Sequence, residues 1–196
     1  MGTAPAEDYG PIASAWDFSR ANVIADLGGG GGGGALILAV LELHPHLRGT
    51  LVDREESVEA AKARFVDKRV SSRCRLLAAD MTRSIPAGAD VYMLKHVLHG
   101  YRDAEAITIL KNCLAVIPEN GTLLVMEFVL PPPVSQADPN LEGRLMSDLN
   151  MLAVTGGRER SEGEWRTLLE TAGFRLTGVY PVENHVGVLE AKPGQG

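Results

Sequence analysis

Val23-Ile24-Ala25-Asp26-Leu27 runs directly into seven glycines, Gly28 to Gly34, and then into Ala35-Leu36-Ile37-Leu38-Ala39-Val40-Leu41. The first five residues are β-type and apolar apart from the acid. The last run continues to Leu43 as a helix and stops near His44-Pro45, because proline cannot extend it. A strand, a glycine turn and a helix in succession open a parallel α/β unit. Glycine allows positive φ and lets the backbone approach a ligand closely. The helix that follows offers its first N–H groups to an anionic group. Gly28, Gly29 and Gly30 are therefore candidate ligand contacts. A low-complexity linker is the competing reading of such a tract. Its place between a strand and a helix, where a tight turn is needed, weighs against that.

Outward from this unit the alternation continues. Short strands are predicted at 50–52, 75–79, 91–94 and 122–130, and helices at 57–66 and 104–116, the latter with Ile107, Leu110, Leu114 and Ile117 on one side. Beyond Pro131-Pro132-Pro133, an exposed loop is expected to residue 139 and a helix over 141–154. Ser161 and Glu164 form a capping box for a helix through Thr171, ended by Gly173. Segments 176–180 and 186–191 read as two strands joined by a short turn, able to pair antiparallel. The expected fold is α/β and Rossmann-like: a mainly parallel seven-stranded sheet with a C-terminal antiparallel hairpin and helices on both faces.

Two more acids end strands. Asp53 can accept both hydroxyls of a ribose, as in nicotinamide enzymes and in S-adenosylmethionine sites alike. Asp80 can take an adenine amino group with Met81 packed on the ring. In an open α/β sheet all these strand ends share the edge where ligands bind. At this level the anionic group at the glycine turn is either a methionine carboxylate or a dinucleotide pyrophosphate. Composition narrows the rest. The 196 residues suit one domain, and 45% hydrophobic content excludes a disordered chain. A net charge of −6 argues against a nucleic-acid binder. Cys74 and Cys113 lie in apolar stretches, read as buried thiols in a reducing cytoplasm, and neither has metal-ligand spacing to another Cys or His. No metal site is expected. The first residues lack a signal-peptide pattern, and no apolar run reaches the ~20 residues of a membrane span.

The run Leu94-Lys95-His96-Val97-Leu98-His99-Gly100-Tyr101-Arg102-Asp103 resembles the LKxxLHDWxD segment of the S-adenosylmethionine (SAM)-dependent O-methyltransferases of plant caffeate type and bacterial polyketide type. Further matches are His44-Pro45-His46-Leu47-Arg48-Gly49, Asp148-Leu149-Asn150-Met151-Leu152 and Gly156-Gly157-Arg158-Glu159-Arg160. The resemblance covers residues 12–192. It leaves 1–11 as a disordered or residual segment and 193–196 as a frayed tail. It implies SAM as cofactor and a small hydroxylated metabolite as substrate; charge and the lack of a long apolar run leave no nucleic-acid or membrane partner expected. His99 stands at the family's general base, and Glu127 and Glu159 at acids that flank and orient it. Lys95 and Tyr101 match cofactor-contacting positions, with Tyr101 in place of the usual Trp, and Asn150 and Met151 match substrate-pocket positions. From the bare residues His96 and His99 are equal candidates. Three departures stand out: a glycine tract about two residues longer than the family's turn, Gly100 where Asp is usual, and no counterpart of the N-terminal helical domain through which the family forms homodimers. They motivate a second reading, a SAM-binding module without methyl transfer. A nicotinamide-dependent oxidoreductase is a third.

Overall fold

A computed structural model of the chain describes residues 9–66, 69–130, 146, 148–149, 151–153, 155–182 and 186–194. The strands are β1 (Val23–Leu27), β2 (Arg48–Asp53), β3 (Cys74–Ala78), β4 (Val91–Lys95), β5 (Thr122–Leu130), β6 (Arg160–Ser161), β7 (Phe174–Pro181) and β8 (Val186–Pro193). The helices are α1 (Gly10–Ser14), α2 (Ala35–Leu43), α3 (Glu55–Phe65), α4 (Asp103–Leu114) and α5 (Glu162–Thr171). The main path of the sheet runs β3-β2-β1-β4-β5-β8-β7, with the two-residue β6 beside β5. Strands β1 to β5 are parallel, and β8 lies antiparallel between β5 and β7. The seven strands of this path, mainly parallel with an antiparallel C-terminal pair, are those read from the sequence; their order and the short β6 come from the structure.

Strand periodicity builds two cores. Tyr92, Leu94, Leu123 and Val125 face α4 and α5, where they meet Ile109, Leu110, Trp165 and Leu169. Their alternates Val91, Met93, Leu124 and Met126 face α1 to α3, among Ile12, Ile37, Leu41 and Phe65. Burying both faces explains the near-continuous apolar strands. The capping box at Ser161 and Glu164 is formed as read. Helix α1 begins at Gly10, inside the segment set aside as residual, and β8 reaches Pro193, with the Gly194 N–H donating to Gly173 at 2.7 Å. The loop expected over 131–139 lies outside the described residues; of the helix expected over 141–154, residues 146, 148–149 and 151–153 are described and helical. Cys113 is buried as expected, but Cys74 is only half-buried, because it opens β3 near the sheet's margin. Burial still pushes both thiols up to about 12, so neither is a nucleophile at neutral pH.

The strand order reverses between β1 and β4, so their carboxyl ends flank a crevice. In open α/β sheets this is where ligands bind. No helix among the described residues is long and apolar enough to cross a membrane.

Candidate active site

The turn after β1 is built on glycines for steric reasons. Gly28 sits at φ +79°, and a Cβ there would lie 2.7 Å from Val97. A Cβ on Gly29 would lie 2.2 Å from Asp26 Oδ2, so the backbone closes directly over that buried carboxylate. The Gly30 N–H donates to Asp53 Oδ2 at 2.9 Å, and the Arg54 N–H to Asp53 Oδ1 at 2.7 Å, which ties the turn to the end of β2. Asp26 is fully buried, and neither of its oxygens has a hydrogen-bond partner of full geometry. Burial pushes its carboxyl up to about 7; the Ile37 amide pulls it down, the Asp53 charge adds to the rise, and the Lys95 charge opposes it.

Beside this turn lies a cleft of about 240 Å³ lined by Gly28, Asp53, Asp80, Met81, Tyr101 and His96, among others. Five of these six are residues the sequence singled out for the cofactor; His96 is not. Of the remaining cofactor candidates, Gly29 and Gly30 form the turn behind Gly28, and Lys95, which is not among the lining residues, holds its Nζ 4.9 Å from the centre of the Tyr9 ring. Asp80 is exposed, and its Oδ1 already accepts from the Thr82 N–H and hydroxyl. A larger cavity of about 780 Å³ opens at the opposite edge, lined by Trp16, Asn22, Asp90 and Lys192, where none of the candidate residues reaches.

The loop after β4 carries the histidines. Glu127, on β5 and fully buried, accepts from the Val97 and Leu98 N–H groups through Oε1, at 3.0 and 2.9 Å. This caps the short 3₁₀ turn Leu98–Gly100. Its Oε2 lies 3.4 Å from His96 Nδ1 and 3.5 Å from His99 Nδ1. Buried Glu159 places Oε1 3.2 Å from His99 Nδ1. His99, Glu127 and Glu159 thus come together although they lie on three separate segments. Burial alone lowers the His99 pKa. The Glu159 hydrogen bond and the charges of Glu127 and Glu159 outweigh that, with Arg160 opposing, and the net shift is upward. Met151 is half-buried on a helical segment, and Asn150 lies outside the described residues.

Sequence reasoning missed Arg160. Its side chain is fully buried, donates to Asp103 at 2.8 Å and to the Leu98 and Tyr101 carbonyls at 3.2 and 3.0 Å, and stacks over Trp165. It fastens both ends of the histidine loop. The flanking Arg158 N–H donates to the His99 carbonyl at 2.9 Å, and a Cβ on Gly157 would lie 2.0 Å from that carbonyl oxygen. The Gly-Gly-Arg-Glu-Arg segment is therefore a clamp on the loop as well as the source of Glu159. The available signal was the presence of Asp103 and Arg160 in two motifs of one family, which an internal ion pair would explain.

Against the family models, residues 10–175 match the O-methyltransferase domain. The chain belongs to this family. Relatives include phenazine O-methyltransferase PhzM of Lysobacter antibioticus, 35% identical over 93% of this chain and 51% of its own length. Aclacinomycin 10-hydroxylase RdmB of Streptomyces purpurascens is 36% identical over 86% of this chain and 44% of its own. Among solved structures, the O-methyltransferase NcsB1 from neocarzinostatin biosynthesis, in complex with SAM and 2-hydroxy-5-methyl naphthoic acid, aligns with a TM-score of 0.83 at 32% identity, covering 95% of this chain and 53% of that one. The fold is accordingly the Rossmann-like methyltransferase fold. The chain spans about half the length of the curated relatives it matches.

Proposed function

We propose that this chain transfers a methyl group from SAM to a hydroxyl of a small aromatic or polyketide-like metabolite, with His99 as general base. The observation that carries the reading is the His99 imidazole held at Nδ1 by Glu159 and faced by Glu127, on the loop whose His96, Val97 and Tyr101 line the cleft at the strand-order reversal.

The cleft suits SAM by its donor set. Asp53 faces it for a ribose, Asp80 and Met81 for an adenine, Tyr101 for an aromatic or cationic neighbour, and the turn at Gly28 for the methionine end. When bound, SAM supplies an electrophilic methyl group on a sulfonium. The chain's own residues do the rest. His99 keeps its Nδ1 proton on Glu159, which leaves Nε2 as the acceptor for the proton of a substrate hydroxyl. The imidazolium that forms is stabilised by two buried carboxylates, Glu127 and Glu159. Arg160 holds the loop, so positioning is built in before substrate arrives.

His99→Ala is expected to lower turnover of an accepted phenol by ~10²–10⁴-fold while SAM affinity, measured by calorimetry, stays within a factor of a few. Turnover at the parent rate would remove His99 from the chemistry. The 36% identity to a hydroxylase favours a second reading, a domain that binds SAM without transferring methyl. Tight SAM binding with no methylated product across a panel of phenols would support that reading over the first.

A further inference from the structure

Two buried atoms where β5 meets the histidine loop lack hydrogen-bond partners: Glu127 Oε2 and His96 Nδ1. They point at one another across 3.4 Å, and His99 Nδ1 lies 3.5 Å from the same carboxylate oxygen. The two imidazoles are stacked, with centroids 5.3 Å apart and planes inclined by 25°. One donor atom from each of the three residues lies within 4.8 Å of the other two. Zinc bonds of about 2.0–2.1 Å in tetrahedral geometry set neighbouring donors roughly 3.3–3.4 Å apart. The two His–Glu separations already match that edge. The third, between the histidines, lies within 4.8 Å, and binding requires one imidazole to rotate out of the stack so that both lone pairs meet at the ion.

The backbone points the same way. His96 has φ +51° and is the only non-glycine residue with positive φ among the described residues. Such strain in a bulky residue is kept where the surroundings over-determine it, commonly at ligand sites. Glu127 is already fixed through Oε1 by two amides, so Oε2 is a preoriented ligand whose partners need not be recruited.

We propose that His96 Nδ1, His99 Nδ1 and Glu127 Oε2 form a site for zinc-class divalent ions, with a fourth position open. Filling it switches off the base. A neutral imidazole carries one proton. With the metal on Nδ1, the proton of His99 moves to Nε2, and the nitrogen that would accept a substrate proton becomes a donor. The ion displaces Glu159, 3.2 Å from that Nδ1, from its hydrogen bond. The switching half rests on His99 being the base; the site itself does not.

The test uses the whole chain, stripped of metal by a chelator and titrated with Co²⁺. Wild type is expected to show the visible bands of a four- or five-coordinate cobalt site. His96→Asn, whose side chain tolerates the left-handed backbone and so keeps the fold, is expected to lose them, as is Glu127→Gln. His46→Asn, in the separate His44–His46 pair, is expected to keep them. In ¹⁵N-histidine NMR, Zn²⁺ is expected to leave the His99 ring protonated at Nε2. Zinc is expected to slow wild-type methyl transfer at least ten-fold, reversibly with chelator. The ratio of rates with and without zinc in His96→Asn is expected to be near one, whatever its basal rate. Absence of cobalt bands in wild type, or their persistence in His96→Asn, overturns the site. Bands with unchanged turnover in zinc overturn the switch. If the base reading is what failed, His99→Ala in metal-free buffer turns over at the parent rate while its cobalt bands are still lost.

Discussion

Asp26 and Glu127 are both fully buried carboxylates near the carboxyl ends of parallel strands, one behind the glycine turn and one behind the histidine loop. Their surroundings are opposite. Glu127 faces two good amide donors and two imidazoles. Asp26 is covered by a glycine backbone and has no donor of full geometry. An ionised carboxylate in a dry interior is stable only when its lone pairs are met. The histidine loop is therefore organised around a charge. The glycine turn is organised around a group that is half-neutral near pH 7. Asp26 lacks a donor of full geometry on both oxygens, whereas Glu127 lacks one only on Oε2, which faces the two imidazoles.

The two carboxylates are expected to differ most in how stability depends on pH. Asp26 has an ordinary value of 3.8 and a folded value of about 7. Below both, the folded and unfolded chains hold the proton equally. Between them, the unfolded chain releases a proton that the folded chain keeps, so stability falls as pH rises, until the folded group also ionises. At ~1.4 kcal/mol per pKa unit, the loss across that window is on the order of 4 kcal/mol. Asp26→Asn cannot titrate. Urea midpoints of the ligand-free proteins at several values between pH 4 and 8 are expected to converge at the acid end and to separate in favour of the variant, relative to that end, as pH rises. Parallel curves would mean that Asp26 is as well partnered as Glu127, and the contrast would be gone.

On the other side, Glu127→Gln should cost little stability. The amide oxygen still accepts from Val97 and Leu98, and the change from charged to neutral acceptor is worth about 1 kcal/mol. Turnover is expected to fall about ten-fold or more, because the imidazolium at His99 loses one of its two carboxylates. Thermal melts and steady-state rates on one preparation separate the two effects. Unfolding by several kcal/mol with normal turnover would reassign Glu127 to holding the loop alone.

This division also explains what was legible in the sequence. The glycine turn, Asp53, Asp80 and Met81 were readable because strand ends in an α/β sheet converge by topology, and each is marked by local residue type. The helix starting at Ser161 was readable because a capping box is local. Arg160 and Asp26 were not assigned roles, and His96 stood only as an alternative to His99. Arg160 looks like a solvated charge until β6 places it beside β5 and under the histidine loop. His96 is distinguished by a backbone angle that no pattern encodes. Asp26 was noticed as a strand end, yet its lack of partners depends on the path of the glycines above it. Residue identity showed where chemistry could gather; the pairing of buried charges needed three dimensions.

The smallest expected effect concerns Gly100, where the family usually has Asp. It ends the 3₁₀ turn beside His99 and does not need positive φ. A Cβ there would meet only Thr155 Cγ2, at 4.0 Å. The contrast with Gly157, whose Cβ would drive into the His99 carbonyl, shows that glycine is required on one side of the loop and merely present on the other. Gly100→Asp is therefore expected to leave stability within about 0.5 kcal/mol of the parent, the range of ordinary surface changes, or to raise it slightly by restricting the unfolded chain. Hydrogen exchange of the Leu98 to Tyr101 amides is expected to slow for the same reason. A loss above ~1 kcal/mol, outside the surface range, would mean that the loop draws on the freedom of Gly100, and that its amides grip Glu127 less firmly than the distances imply.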